Sequence, residues 1–224
     1  MDVLQSIVTR RPMFLRYDLN FSSPQVEDLL SSDDGPGFRI MWMYGIPDRL
    51  IVTFARMNMF LEDFGVCVDP NVVQAIEKEI EGCGRIAWSG DGNTSTRMLG
   101  KITAHECWRL AAYVYLYMGL CGANSYDPRV VGVQKAFMRV LGGVKPTRYP
   151  DSFMVIPMFI LGMATNTKDQ HVLLARLGGV TECSRPGTMA NDIMRMLISV
   201  WVHAEGRPIS WSDLRPACLR VVGM

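Results

Sequence analysis

A few arrangements in this sequence carry residue types that chemistry uses. His105-Glu106 starts like a zinc-hydrolase helix, in which a second His at i+4 completes the metal's histidine pair and the Glu is the base. Position 109 is Arg, so that ligand is missing. Ser89-Gly90-Asp91-Gly92-Asn93 contains G-x-G, but no hydrophobic strand precedes it, as a phosphate cradle requires. No G-x-x-x-x-G-K-[ST] loop and no G-x-S-x-G elbow occurs. Cys67, Cys83, Cys107, Cys121, Cys183 and Cys218 include no two within four positions of each other, and His105, His171 and His203 are scattered. That spacing offers no zinc clip, and no cysteine sits in a nucleophile context. The expectation is reduced structural thiols in the cytosol or nucleus. No catalytic residue, metal site or cofactor is expected.

Arg109 is the most informative residue. It lies in Cys107-Trp108-Arg109-Leu110-Ala111-Ala112-Tyr113, among neighbours expected to be buried. A buried guanidinium needs a carboxylate or several carbonyls. One reading pairs it with Glu106 at i−3, or with Asp151 on another helix. The other has it line a cavity and bind an acidic effector. Arg109, Trp108 and Tyr113 therefore form the candidate site, as effector pocket or as core ion pair. Trp108, Tyr113, Tyr115 and Tyr117 together suggest an aromatic box, but spacings of two and four point them to different faces, so core packing is expected. Met57, Met59, Met154, Met158 and Met163 are read as core as well.

The elements that position these residues are helical. Hydrophobic residues at 49% and charged residues at 20% describe a folded chain. Lys+Arg 23 against Asp+Glu 22 leaves no basic field to concentrate it on nucleic acid. Lys135, Arg139, Lys145 and Arg148 are dispersed, and no helix has a basic face for DNA docking. Arg10-Arg11-Pro12 reads as a solvated terminus or the stub of a nuclear-import segment. The most apolar run, Phe153 to Ala164, is too short to cross a bilayer, which takes about twenty residues. The N-terminal run has no long apolar core and does not resemble a signal peptide.

Ser-Pro and Asp-Pro pairs mark helix starts. Ser23-Pro24 opens a short helix, and a Gly/Pro/Asp loop spans Ser32 to Phe38. From Asp48, Leu50, Phe54, Met57, Leu61 and Phe64 make one stripe, with Gly65 as stop. Asp69-Pro70 opens a helix to Gly82, and a polar loop covers Ser89 to Thr96. Arg97 to Gly119 is the longest helical run and is apolar nearly all round in its second half. Further helices are expected over 128–142, 153–164 with a kink or restart at Pro157, 168–177 and 188–204. Ser210-x-x-Asp213 is a capping box for a last helix through Val222. Asp69-Pro70-Asn71-Val72-Val73 and Asp127-Pro128-Arg129-Val130-Val131 share D-P-x-V-V. That echo is either a helical repeat or two good helix starts. No strand pair is evident. The expected fold is all-α, a compact bundle of about eight or nine mostly antiparallel helices. Residues 1–37 are set apart as an N-terminal extension and 38–224 as the helical domain.

Cys107 to Ala123 resembles the E-x-W-R-x-A-A-x-x-Y-L-Y helix of the fungal-specific transcription factor domain. Pro150 to Thr165 is similar to that family's later core helix, a P-x-x-I-x-G-x-A pattern. The segments from Gly45, Asp69, Asp127, Leu173 and Trp211 are similar in the same order, so the resemblance covers roughly Phe38 to Met224. It implies the helical regulatory region that follows the zinc binuclear cluster in fungal transcription factors: nuclear, non-enzymatic, acting through effector sensing or partner contacts. Proteins of the transcription machinery, a self-dimer and a small-molecule effector are the partners it implies. Nothing here matches the closely spaced cysteines of the zinc cluster. The resemblance is thus to the regulatory part alone, without zinc or direct DNA contact, and a headless fragment would also suit the cytoplasm. The rival expectations are a helical protein-interaction adaptor with no transcriptional role, and an all-α enzyme holding an acidic substrate on Arg109.

Overall fold

The structure, a computed structural model, describes residues 2–14, 45–66, 68–83 and 96–223. The helix expected after Ser23-Pro24, the loop at 32–38, the boundary between 37 and 38, Cys67 and nearly all of the 89–96 loop lie outside the described residues. Those that are described form eleven α-helices, nine of them eight residues or longer, and no strand. The all-α class expected from the helix signals is the class observed. No helix among the described residues is long and apolar enough to cross a membrane.

The first helix, α1 (Asp2–Thr9), was not expected. Val3, Leu4, Ile7 and Val8 are buried on it, and it packs against α2 and α11. In α2 (Asp48–Phe64), Leu50, Phe54 and Met57 reach the core as the stripe requires. Leu61 is only half-buried and Phe64 is 62% exposed, because the last turn runs past the core. Gly65 then ends the helix at φ 65°, a conformation that favours glycine.

The D-P-x-V-V echo is one capping device used twice. Asp69 accepts from the Asn71 N–H at 2.7 Å to open α3 (Pro70–Gly82), and Asp127 accepts from the Arg129 N–H at 2.9 Å to open α5 (Pro128–Gly142). Pro at the first position has no N–H to lose. The two helices sit in different surroundings. α3 lies on α2 and α4, whereas α5 lies along α4 and meets α7.

α4 (Thr96–Val114) is the axis of the bundle and continues as a π-helical stretch, Tyr115–Leu120, whose six residues are all buried. Gly119 permits this geometry. A Cβ there would sit 2.7 Å from the Tyr115 ring, which lies flat over the glycine. Tyr115 in turn packs edge-on to Trp211 at 5.1 Å and donates its hydroxyl hydrogen to Asn58 Oδ1.

After the single turn α6 (Arg148–Asp151) comes α7 (Val155–Ala164), buried on nearly every side. Of the kink or restart expected at Pro157, the structure shows a fresh helix start two residues before it and no kink. The helix starts at Val155, so Pro157 occupies its first turn, where a missing N–H breaks no bond. α8 (Thr167–Gly178) is capped by Asn166 and stopped at Gly179. A second single turn, α9 (Thr181–Ser184), leads to α10 (Met189–Ala204), capped by Thr188. The Ser210–Asp213 capping box forms as expected and feeds α11 (Leu214–Val222).

Candidate functional site

The helix that carries the three candidates gives them different surroundings. Successive residues on an α-helix are about 100° apart, so Trp108 and Arg109 cannot share a face. Arg109, Tyr113 and Tyr117, spaced by four, can.

On that shared face Arg109 grips Glu106 with both arms of its fork, at 2.6 and 2.9 Å. Of the two partners weighed for Arg109, the structure pairs it with the local one. The guanidinium is one-fifth exposed, so the pair sits at the edge of the core instead of inside it. The hydrogen bond that Arg109 donates to Glu106 holds the Arg109 pKa above its ordinary value, against the opposing effect of burial. The Arg109 guanidinium also lies over the Tyr113 ring at 5.7 Å, and Tyr113 stacks on Tyr117 at 6.1 Å. Arg129, from α5, covers Tyr117 at 4.9 Å and is itself paired with Asp127. Beneath the stack, Glu77 of α3 accepts the Tyr117 hydroxyl at 2.8 Å through its carboxylate and the Tyr113 hydroxyl at 3.5 Å through its carbonyl. Burial, then Glu77, pushes the Tyr117 phenol well above its ordinary range.

The result is a ladder of alternating carboxylates, guanidinia and rings that joins α3, α4 and α5. Both guanidinia in it have a counter-charge, Arg109 in Glu106 and Arg129 in Asp127. Glu77 and Arg129 were not singled out in the sequence. Tyr117 was, in the aromatic box, but the expectation that a spacing of four points rings to different faces fails for Tyr113 and Tyr117, which share a face and stack.

Trp108 lies elsewhere. It is 1% exposed and packs edge-on to Phe54 at 6.1 Å. Its indole N–H has no hydrogen-bond partner among the described residues. It forms part of the wall of an apolar cleft between α1, the start of α7 and α10. Two adjoining cavities of about 320 and 350 Å³ make up this cleft, and both are lined by Leu4, Ile156, Met189 and Ile193. The cleft was not legible in the sequence because one wall is α1. Asp151, the other partner considered for Arg109, is bound to Arg176 in the interior.

The remaining reactive groups on these helices are held quiet. Cys83, Cys107, Cys121, Cys183 and Cys218 are free thiols, and only Cys121 is not fully buried. Burial raises the Cys107 thiol far above its ordinary value and the Cys183 thiol to about 11. Thiolate, the nucleophilic form, is therefore scarce at neutral pH.

His105 is held below its ordinary pKa, by burial first, with Glu106 opposing. Its folded form resists a proton that the unfolded chain accepts below about pH 6.5. The stability this contributes is present above that pH and is lost as the pH falls through it. We expect the melting temperature to drop on acidification from pH 7, and His105→Gln to flatten the drop. A wild-type slope unchanged in the variant would refute the assignment.

With this geometry in place, the comparisons with known proteins place the chain. It is a helical domain of a transcription-regulator family. The fungal specific transcription factor domain matches residues 1–215, α1 included, and the chain belongs to that family. No curated protein and no solved structure matches it.

Proposed function

We propose that this chain is the non-enzymatic regulatory domain of a fungal zinc-cluster-type transcription factor, here without its DNA-binding head. It works in the nucleus by responding to an effector or a protein partner. The observation that carries the reading is the family match over residues 1–215.

Two features of the molecule support it. Arg109 of α4 is paired with Glu106 and Arg129 of α5 with Asp127, which suits a scaffold more than a reaction centre. The apolar cleft is walled by elements from distant parts of the sequence, α1, α7 and α10. A ligand or partner that binds two packings of these helices unequally shifts their populations by its differential affinity.

The test is a fusion of residues 1–224 to a heterologous DNA-binding head in fungal cells carrying a matched reporter. The fusion is expected to change reporter output several-fold relative to the head alone. Output equal to that of the head alone would overturn the regulatory reading. Sequence-selective DNA binding by the unfused chain would overturn the claim that these 224 residues carry no DNA-binding head.

A further inference from the structure

The basic pair at the end of α1 has a setting that its sequence does not disclose. Arg10 and Arg11 border a cavity of about 190 Å³, with Glu62 of α2 on another wall and Asn58, Tyr115 and Trp211 around it.

Arg10 occupies the position just past α1 and donates its N–H to the Ser6 carbonyl at 2.9 Å. Its φ is 55°, the left-handed region that glycine enters freely and other residues enter at a cost. An arginine is therefore held in a backbone shape that glycine would adopt more easily. Among the described residues, neither its guanidinium nor that of Arg11 takes part in an ion pair or hydrogen bond, and both border the cavity. Glu62 is already engaged, accepting the Met13 N–H at 2.7 Å.

The other side of the cavity is polar and fixed. Tyr115 and Asn58 are 2% and 1% exposed. The Tyr115 hydroxyl donates to Asn58 Oδ1, and Asn58 Nδ2 donates to the Val3 carbonyl at 3.1 Å. One amide hydrogen of Asn58 is left over. Pro12, Leu61 and Trp211 supply apolar wall.

Two guanidinia against one carboxylate leave the cavity net positive, and a guanidinium fork matches a carboxylate in two parallel bonds. A cavity of about 150 Å³ accommodates benzene, so this one admits about six to nine non-hydrogen atoms. We propose that it is a binding site for a small organic carboxylate, with the carboxylate on Arg10 and Arg11 and the carbon skeleton against Trp211. Its walls come from α1, α2, the end of α4 and the turn before α11, so occupancy ties four separate elements together. That this ligand is an effector rests on the regulatory reading above. That it binds does not.

The experiment is calorimetric titration of the purified 224-residue chain with pentanoate, succinate and benzoate, alongside inorganic phosphate at matched ionic strength. At least one carboxylate is expected to bind with a Kd of about 1 mM or tighter. Arg10→Gly should weaken it by about tenfold or more, since it removes a charge-assisted partner. Because glycine relieves the left-handed backbone, the same variant should melt no lower than the parent chain. Arg11→Gln should weaken binding too.

Full binding by Arg10→Gly would overturn the proposal. So would silence from all three acids at about 10 mM, well above that Kd. Phosphate binding as tightly as the acids, with the same Arg10 dependence, would overturn the organic ligand class. A carboxylate that binds here while the reporter fusion stays inert would leave the site standing and remove the regulatory reading.

Discussion

Asp151→Ala is expected to lower the stability of this domain by about 3–5 kcal/mol and its melting temperature by roughly 10 °C. Asp151 and Arg176 are 2% and 4% exposed, deep between α6 and α8. Arg176 Nε and Nη2 donate to the two Asp151 oxygens at 3.1 and 3.2 Å. The same guanidinium also donates to the Leu141 carbonyl and, at 2.8 Å, to the Val144 carbonyl. Those carbonyls lie at and just beyond the C-terminal end of α5, where a cation also meets the negative end of the helix dipole. One side chain thus ties three helices. Removing Asp151 leaves a cation in dry surroundings with only neutral acceptors.

The double variant Asp151→Ala, Arg176→Met removes both charges and should recover part of the loss. It should not recover all of it, because the two carbonyls lose their donor at about 1–3 kcal/mol. Urea unfolding of the parent chain and the two variants reads this directly. A single-variant loss under about 1 kcal/mol, or a double variant worse than the single, would contradict the assignment.

Gly162→Ala is the second large effect, expected at about 2 kcal/mol even though alanine is the better helix former. A Cβ on Gly162 would fall 2.6 Å from both methyl carbons of Leu197 and 3.1 Å from its Cγ. Leu197 is fully buried on α10, so moving it disturbs close-packed neighbours. The Trp201 indole N–H also donates to the Gly162 carbonyl at 2.9 Å, so forcing α7 and α10 apart strains that bond as well. Leu197→Ala alone leaves a cavity and should cost about 2–5 kcal/mol. Combined, the two changes should cost clearly less than their sum, since each relieves the other's defect. Additivity within about 0.5 kcal/mol would show that the close approach is not the cause.

Gly162 also shows why the family-like pattern around it has a physical basis. In P-x-x-I-x-G-x-A, the glycine is the point at which α10 comes closest, and the proline lies in the first turn, where it costs the helix nothing. The all-α class, the helix starts at Asp69-Pro70 and Asp127-Pro128, and the Ser210–Asp213 box were legible for a similar reason. Each depends on a side chain and a backbone group within a few residues. Arg109–Glu106 belongs with them, because a partner three positions away on a helix is within reach wherever that helix sits. α1 was legible in principle, since Val3, Leu4, Ile7 and Val8 lie on one stripe, but eight residues make a weak periodic signal.

What the order of residues settled alone is therefore local: which segments are helical and where they are capped, with Glu106 named as one of the candidate partners of Arg109. Only the tertiary structure decided that Asp151 serves Arg176, that Arg129 closes the ring ladder begun by Arg109, and that Arg10 and Arg11 border a cavity with Tyr115 and Trp211. The physical reason is distance along the chain. Capping and i, i+4 contacts follow from helix geometry, whereas contacts between distant segments depend on how whole helices pack, and many sequences of caps and stripes are compatible with more than one such packing.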